Sequence, residues 1–336
     1  MSRRQQQACS ARSAGFTLVE LMISMTLGLV LIGGATGVIL ANRQSYRTNE
    51  ALSQVQESAR TAFELLARDV RQAGVTGCDS DGRVANVIKQ DPPLPWWRNW
   101  VGIMGYGGTQ PDGAVGFGAS GNNNRVSGTD SLMLQGIEGS GFAIVNHEPA
   151  AGKFTLNGTP TILGASDILM VCDFDHAAIF QAFAYDSTNK IVSYRDDASS
   201  RNCSTGLGYP TNCPAGNVYT YAPNSQVARL AAVAWYIGNN GRADEGGRSL
   251  YRIRMGNPVP EEIVAGVTNL AIAYREQGRD DFRAAGLVGN WANVNALQIT
   301  LTMRSADQRV TTDVAVNAGR IERSFTNIVT LRNRVP

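Results

Sequence analysis

Between Leu21 and Ala41 the chain carries no charged side chain. At about 1.5 Å per helical residue this run reaches roughly 32 Å, enough to cross a hydrocarbon core of about 30 Å. Beyond it, Leu52, Val55, Ala59, Ala62, Phe63, Leu66, Val70 and Ala73 recur at helical spacing and share one face. Glu50, Glu57, Arg60, Glu64, Arg68, Asp69 and Arg71 fill the other face, with Glu64 and Arg68 placed as a favourable i,i+4 pair. Gly74 then supplies a stop signal. The pattern predicts one helix from about residue 17 to 73, roughly 85 Å long. Its first half is apolar all round and its second half is amphipathic. A helix of this kind is suited to anchoring in a membrane and docking a stripe onto a globular head.

After Gly74 the period shortens to two. Strands are predicted at 130–135, 141–146, 153–156, 167–171, 179–185, 190–194, 228–238, 248–255, 267–276, 296–304 and 310–316, separated by turn residues. There is no alternating βαβ rhythm, so antiparallel sheets are expected. The stretch 239–248, "NNGRADEGGR", reads as a hairpin loop, and 258–266, "PVPEEIVAG", as one helical turn opened by Pro260. Residues 79–128, rich in Gly, Pro and Asn, read as a long irregular segment. The expected fold class is α+β: a long N-terminal helix packed on a large antiparallel β-sheet head.

The N-terminus permits two readings. In one, residues 1–20 are the basic n-region of a secretory signal whose apolar run is removed after small residues such as Gly33 and Ala35. In the other, the cut falls before the apolar run and the run is retained. Retention is favoured because the run exceeds the about 7–15 residues of a signal core. The helical pattern also continues past it, and Glu20 stands at its entrance, where a carboxylate is costly unless it has a partner or a function.

The stretch "GFTLVELM", Gly15 to Met22, resembles the class III signal of type IV prepilins and pseudopilins: a basic leader ending in Gly, then Phe, then Glu at the fifth mature position. "ILMVCDFDHAAIFQ" (168–181) and the ending "SFTNIVTLRNRVP" resemble the PilW type of minor pilin, related to the J-type pseudopilins of type II secretion. The resemblance implies a cleaved leader (1–15), a filament-core and transmembrane helix (16–41), the amphipathic half of that helix (42–74) and a β-rich periplasmic or extracellular head (75–336). It also implies cleavage between Gly15 and Phe16 by prepilin peptidase and N-methylation of Phe16. The implied partners are the major pilin, other minor pilins and a tip adhesin. The implied route is a single pass through the inner membrane, N-terminus inside, and then the pilus tip. Unlike many major pilins, the chain has no proline within 16–60, and Gly28, Gly33, Gly34 and Gly37 are expected to loosen the helix instead.

Glu20 then acquires a role. Inside a filament its carboxylate can pair with the Phe16 amine of a neighbouring subunit, and a subunit in the wrong register leaves a charge unmatched. The alternative is a solvated residue at headgroup level.

Charge and cysteine narrow the picture. Thirty basic residues face 28 acidic ones; without Arg3, Arg4 and Arg12 the balance is 27 to 28, a net −1, which is no footprint for nucleic acid. Beyond Cys9, the cysteines are Cys78, Cys172, Cys203 and Cys213. Cys203 and Cys213 bracket a turn-rich loop, so they are paired, leaving Cys78 with Cys172. Buried thiols and a metal site are the competing readings, and a zinc site lacks the closely spaced His or Cys pairs it needs. Disulfides would place the head outside the cytoplasm.

No catalytic motif stands out, and neither an enzyme nor a cofactor is expected. "GFGASG" (116–121) has dinucleotide-loop spacing but no helix follows, so it reads as a flexible loop. His147 reads as part of a turn, and His176 with Asp173 and Asp175 as a solvated loop rather than an acid–base pair. "DSDG" (79–82) with Asp167, Asp173 and Asp175 offers calcium oxygens but lacks the remaining EF-hand ligands. Trp96, Trp97 and Trp100 form either a satellite core under the loop or a ligand or partner contact. Three function classes remain: a minor pilin of a tip or priming complex, a J-type pseudopilin, and a DNA-capturing pilin, the last disfavoured by charge.

Overall fold

The computed structural model describes residues 17–78, 83–118, 123–311, 313 and 315–334. One helix, α1 (Leu18–Gln72), runs uninterrupted through Gly28, Gly33, Gly34 and Gly37, so the glycines do not break it. The chain divides into two units, one ending at Ala51 and the other starting at Leu52. In the first unit every described residue from Leu18 to Ala51 is helical. The second unit begins with the last turns of α1. Val55, Ala59, Ala62, Phe63, Leu66, Ala67, Val70 and Ala73 are buried there, the face that the sequence pattern marks. On the outer face the ion pair joins Arg60 to Glu64 at 2.8 Å rather than Glu64 to Arg68; both partners are mostly exposed, so it adds little. The helix ends at Gly74, whose φ of 75° is left-handed and whose N–H donates to the Gln135 carbonyl.

Fourteen strands follow among the described residues: β1 (Val84–Asn86), β2 (Ile103–Tyr106), β3 (Ser131–Glu148), β4 (Lys153–Leu156), β5 (Ile168–Cys172), β6 (Ala177–Asp186), β7 (Ile191–Tyr194), β8 (Gln226–Asn239), β9 (Arg248–Arg254), β10 (Asn257–Ala265), β11 (Val267–Glu276), β12 (Arg283–Ala284), β13 (Val294–Arg304) and β14 (Glu322–Thr330). They form a ten-stranded sheet and a four-stranded sheet ordered β12-β11-β13-β14. Pairing is antiparallel throughout the named strands except for β1, which lies parallel to β6. The fold is therefore α+β, with a long apolar N-terminal helix and a large antiparallel β head.

Within the larger sheet, β3-β4-β7-β6-β5-β8 close on themselves, because β3 pairs both β4 and β8. Closure removes free edges. Its interior is an aromatic core of Phe154, Phe180, Tyr194 and Tyr221 with Leu169, Val171 and Val227. A second core joins the buried face of α1 (from Val55 on) to Leu132, Trp235, Leu250, Leu270, Ile299 and Leu301. The helix end approaches β3 closely at Gly136, where a Cβ would lie 2.9 Å from the Gln72 carbonyl oxygen.

Several expectations need correction. Segments 130–135 and 141–146 are one strand: "EGSG" (138–141) forms a bulge rather than a turn, with Gly139 and Gly141 at φ 76° and 78°. Residues 258–266 lie mostly in strand β10, not in a helical turn. The described residues of 310–316 contain no strand, whereas 322–330 do. The stretch 79–128 holds β1 and β2. His147 is not in a turn but is buried near the end of β3.

Candidate functional site

The N-terminal segment begins with a local cap. Glu20 accepts hydrogen bonds from the Thr17 backbone N–H and hydroxyl, both at 3.0 Å, while the Glu20 N–H donates to Thr17 Oγ1 at 3.3 Å. This is a reciprocal capping box, Thr-x-x-Glu, which satisfies donors that the first helical turn leaves open. The Thr-x-x-Glu spacing of Thr17 and Glu20 is itself a sequence signal for this cap, alongside the intermolecular role expected for Glu20. Gly15 and Phe16 lie outside the described residues.

The next turns combine apolar exposure with internally satisfied polar groups. Leu18, Val19, Met22, Leu29, Val30, Leu31 and Ile32 are each at least 60% exposed, an apolar surface left uncovered by the described residues. The hydroxyls of Ser24, Thr26 and Thr36 turn back to the carbonyls of Glu20, Met22 and Ile32 at 2.7–3.1 Å. In hydrocarbon those groups would otherwise go unpaired. Nothing lies within 4 Å of a Cβ added at any of the four glycines, and Gly33 and Gly37, four residues apart, share a face on which another helix can approach. The helix has a window of mean hydropathy 2.1 and is long and apolar enough to cross a membrane.

In the head, disulfides join Cys78 to Cys172 and Cys203 to Cys213, with Cα separations of 5.8 and 5.5 Å. The first ties the segment after α1 to the end of β5. The second closes the loop before β8.

The acidic cluster beside it serves the backbone. Asp173 Oδ1 accepts the N–H groups of Asp175 and His176, and its Oδ2 accepts the Tyr219 hydroxyl at 2.7 Å. Asp175 pairs with Arg83 at 2.6 Å, and His176 stacks on Tyr219 with Nδ1 2.7 Å from Asp175 but not aligned for a hydrogen bond. His176 is thus packed rather than solvated. No group of three or more His, Cys, Asp or Glu suited to a metal occurs among the described residues; "DSDG" (79–82) lies outside them, as do 119–122, including the end of "GFGASG".

His147 belongs to the aromatic core. Its Nδ1 accepts the Tyr221 N–H at 3.1 Å, so Nε2 carries the proton and donates to the Tyr194 hydroxyl at 2.8 Å, while the ring stacks on Phe154. Burial lowers the imidazole to about 4 and raises the Tyr194 phenol. Trp97 and Trp100 pack beside Ile88, Ile168, Met170, Ile179 and Leu230, and Trp96 beside Tyr236 and Tyr251. All three are half-buried. None of these head residues forms a nucleophile–base arrangement.

The N-terminal segment is thus a capped apolar helix with a carboxylate in its first turn, long and apolar enough to cross a membrane. Residues 10–36 match the family model of the prokaryotic N-terminal methylation motif. No curated protein and no solved structure matches the chain. The motif marks a prepilin-type N-terminus, which supports a type IV pilin or pseudopilin and implies processing by a prepilin peptidase and assembly with other pilins.

Proposed function

We propose that the protein is a minor pilin of the PilW type, a subunit of a tip or priming complex that promotes pilus assembly. The observation that carries this reading is the methylation motif at residues 10–36, which overlaps the start of α1, a helix apolar first and amphipathic afterwards. Support for the PilW type comes from 168–181, which forms the β5–β6 hairpin bearing Cys172, and from the closing stretch that contains most of β14. On this reading the chain inserts once into the inner membrane, is cut after Gly15, is methylated at Phe16 and enters the filament by pairing Glu20 with a neighbour's Phe16 amine.

Two substitutions separate that pairing from the cap. Glu20→Gln keeps an acceptor for the Thr17 donors, since Gln serves in the capping box, but removes the charge. Glu20→Ala removes both. The expected result is that both variants insert and are processed, and that both lose co-purification with partner pilins and reduce piliation. Normal assembly of Glu20→Gln with failure of Glu20→Ala would assign the residue to the cap alone. Co-purification of the native chain with secretion pseudopilins instead of pilus subunits would replace the pilus by the J-type role.

A further inference from the structure

A cavity of about 490 Å³ opens where β1 and the irregular segment after it meet the loop closed by Cys203–Cys213, within the about 300–1,000 Å³ typical of ligand sites. It is lined by Asn86, Gln90, Arg98, Asn99, Trp100 and Thr211. Thr211 comes from the loop closed by Cys203–Cys213, and its hydroxyl oxygen accepts the Asn86 N–H at 2.9 Å, which holds that loop against the wall.

Arg98 sets the character of the cavity. It is 8% exposed, and its guanidinium donates to the Ile88 and Lys89 carbonyls and to Asn99 Oδ1. Among the described residues no carboxylate pairs with it, and burial lowers it from its ordinary value with no acid to offset this. An arginine has five N–H groups; these contacts use three, and the other two have no partner among the described residues. The Asn99 amide donor, the Gln90 amide and the Thr211 hydroxyl hydrogen likewise have no partner among the described residues. The cavity is thus rich in donors, carries one uncompensated positive charge and includes an indole.

We propose that this cavity binds a saccharide bearing a carboxylate, with the acid on Arg98, the hydroxyls on Asn99, Gln90 and Thr211, and the ring against Trp100. The chemistry fits class by class. A buried guanidinium binds a carboxylate by two parallel hydrogen bonds. Amide side chains meet sugar hydroxyls as donor and acceptor at once. The electron-rich indole face suits the C–H face of a pyranose.

The test is calorimetric titration of the full chain in detergent micelles with galacturonate, glucuronate and N-acetylneuraminate disaccharides, their neutral counterparts, sodium acetate and inorganic phosphate. The native chain is expected to bind at least one acidic disaccharide saturably. Asn99→Ala/Gln90→Ala, which leaves the buried Arg98 contacts to Ile88 and Lys89 intact, is expected to melt like the native chain and bind about tenfold more weakly. Arg98→Gln is expected to abolish binding. Absence of saturable binding to every acidic member, or equal affinity in the double variant, overturns the proposal. Equal binding of the neutral sugars removes the acid requirement and also overturns it. Acetate or phosphate binding as tightly as the sugars reduces the cavity to a small-anion site and does the same.

Discussion

The buried His147 makes the head acid-sensitive in a defined window. In the fold its Nδ1 accepts the Tyr221 N–H, so protonation breaks that bond and places a charge in the aromatic core. The folded state holds the imidazole at about 4 against 6.5 in the open chain, so it is the weaker proton binder. The contribution is complete above about pH 6.5 and is lost as the pH falls toward 4. Linkage gives a loss of about 1.4 kcal/mol by pH 5.5 and about 2.5 kcal/mol by pH 4.5. His147→Phe isolates the residue. It keeps an aromatic ring against Phe154, stacked at 4.1 Å, but leaves the Tyr194 hydroxyl and Tyr221 N–H unpaired. Each such buried group costs about 1–3 kcal/mol, so the variant should be about 2–6 kcal/mol less stable at pH 7.5. Its stability should then change little between pH 6.5 and 4.5. The assay is urea unfolding of the full chain in detergent at pH 7.5, 5.5 and 4.5, followed by tryptophan fluorescence. A native stability that is flat across this range, or a variant that loses as much as the native chain, would refute the reasoning.

Two further outcomes test the head. Leu66→Ala empties a fully buried position where α1 meets the second core, and should cost about 2–5 kcal/mol in the same unfolding assay; a change below 1 kcal/mol would mean that this face is not packed as described. Non-reducing peptide mapping of periplasmically produced protein should find one fragment joining Cys203 to Cys213, a ten-residue closure that stabilises by roughly 3 kcal/mol in the chain-entropy model. Free alkylation of both cysteines in the native chain would contradict it.

How much of this was readable in the sequence depends on how local each signal is. The second half of α1 and the strands at 153–156 and 267–276 follow from periodicity alone, because each buries one face, while the first half follows from its uncharged apolar run. Strand β10 was misread because Pro260 followed by Glu261 and Glu262 imitates a helix start. It lies at the edge of its sheet, where proline is tolerated, and the two acids answer Arg252 and Arg242. Strand β14 was missed for the opposite reason. It is mostly exposed, and its polar face is held by hydroxyl pairs, Thr326 with Thr300 and Ser324 with Thr302, which leave little hydrophobic alternation. The Thr17–Glu20 cap was legible at three-residue spacing and was passed over for a longer-range role. The Arg98 cavity was not legible, since Asn86 and Thr211 are 125 residues apart in the chain.

The central claim is that the apolar helix is retained behind a prepilin-type cut, and intact-mass measurement of the chain extracted from membranes of a host with prepilin peptidase tests it most directly. The account predicts a chain beginning at Phe16 and carrying one N-methyl group. A chain beginning near Thr36 would identify an ordinary secretory signal and contradict the account, as would an uncut chain that still begins at Met1.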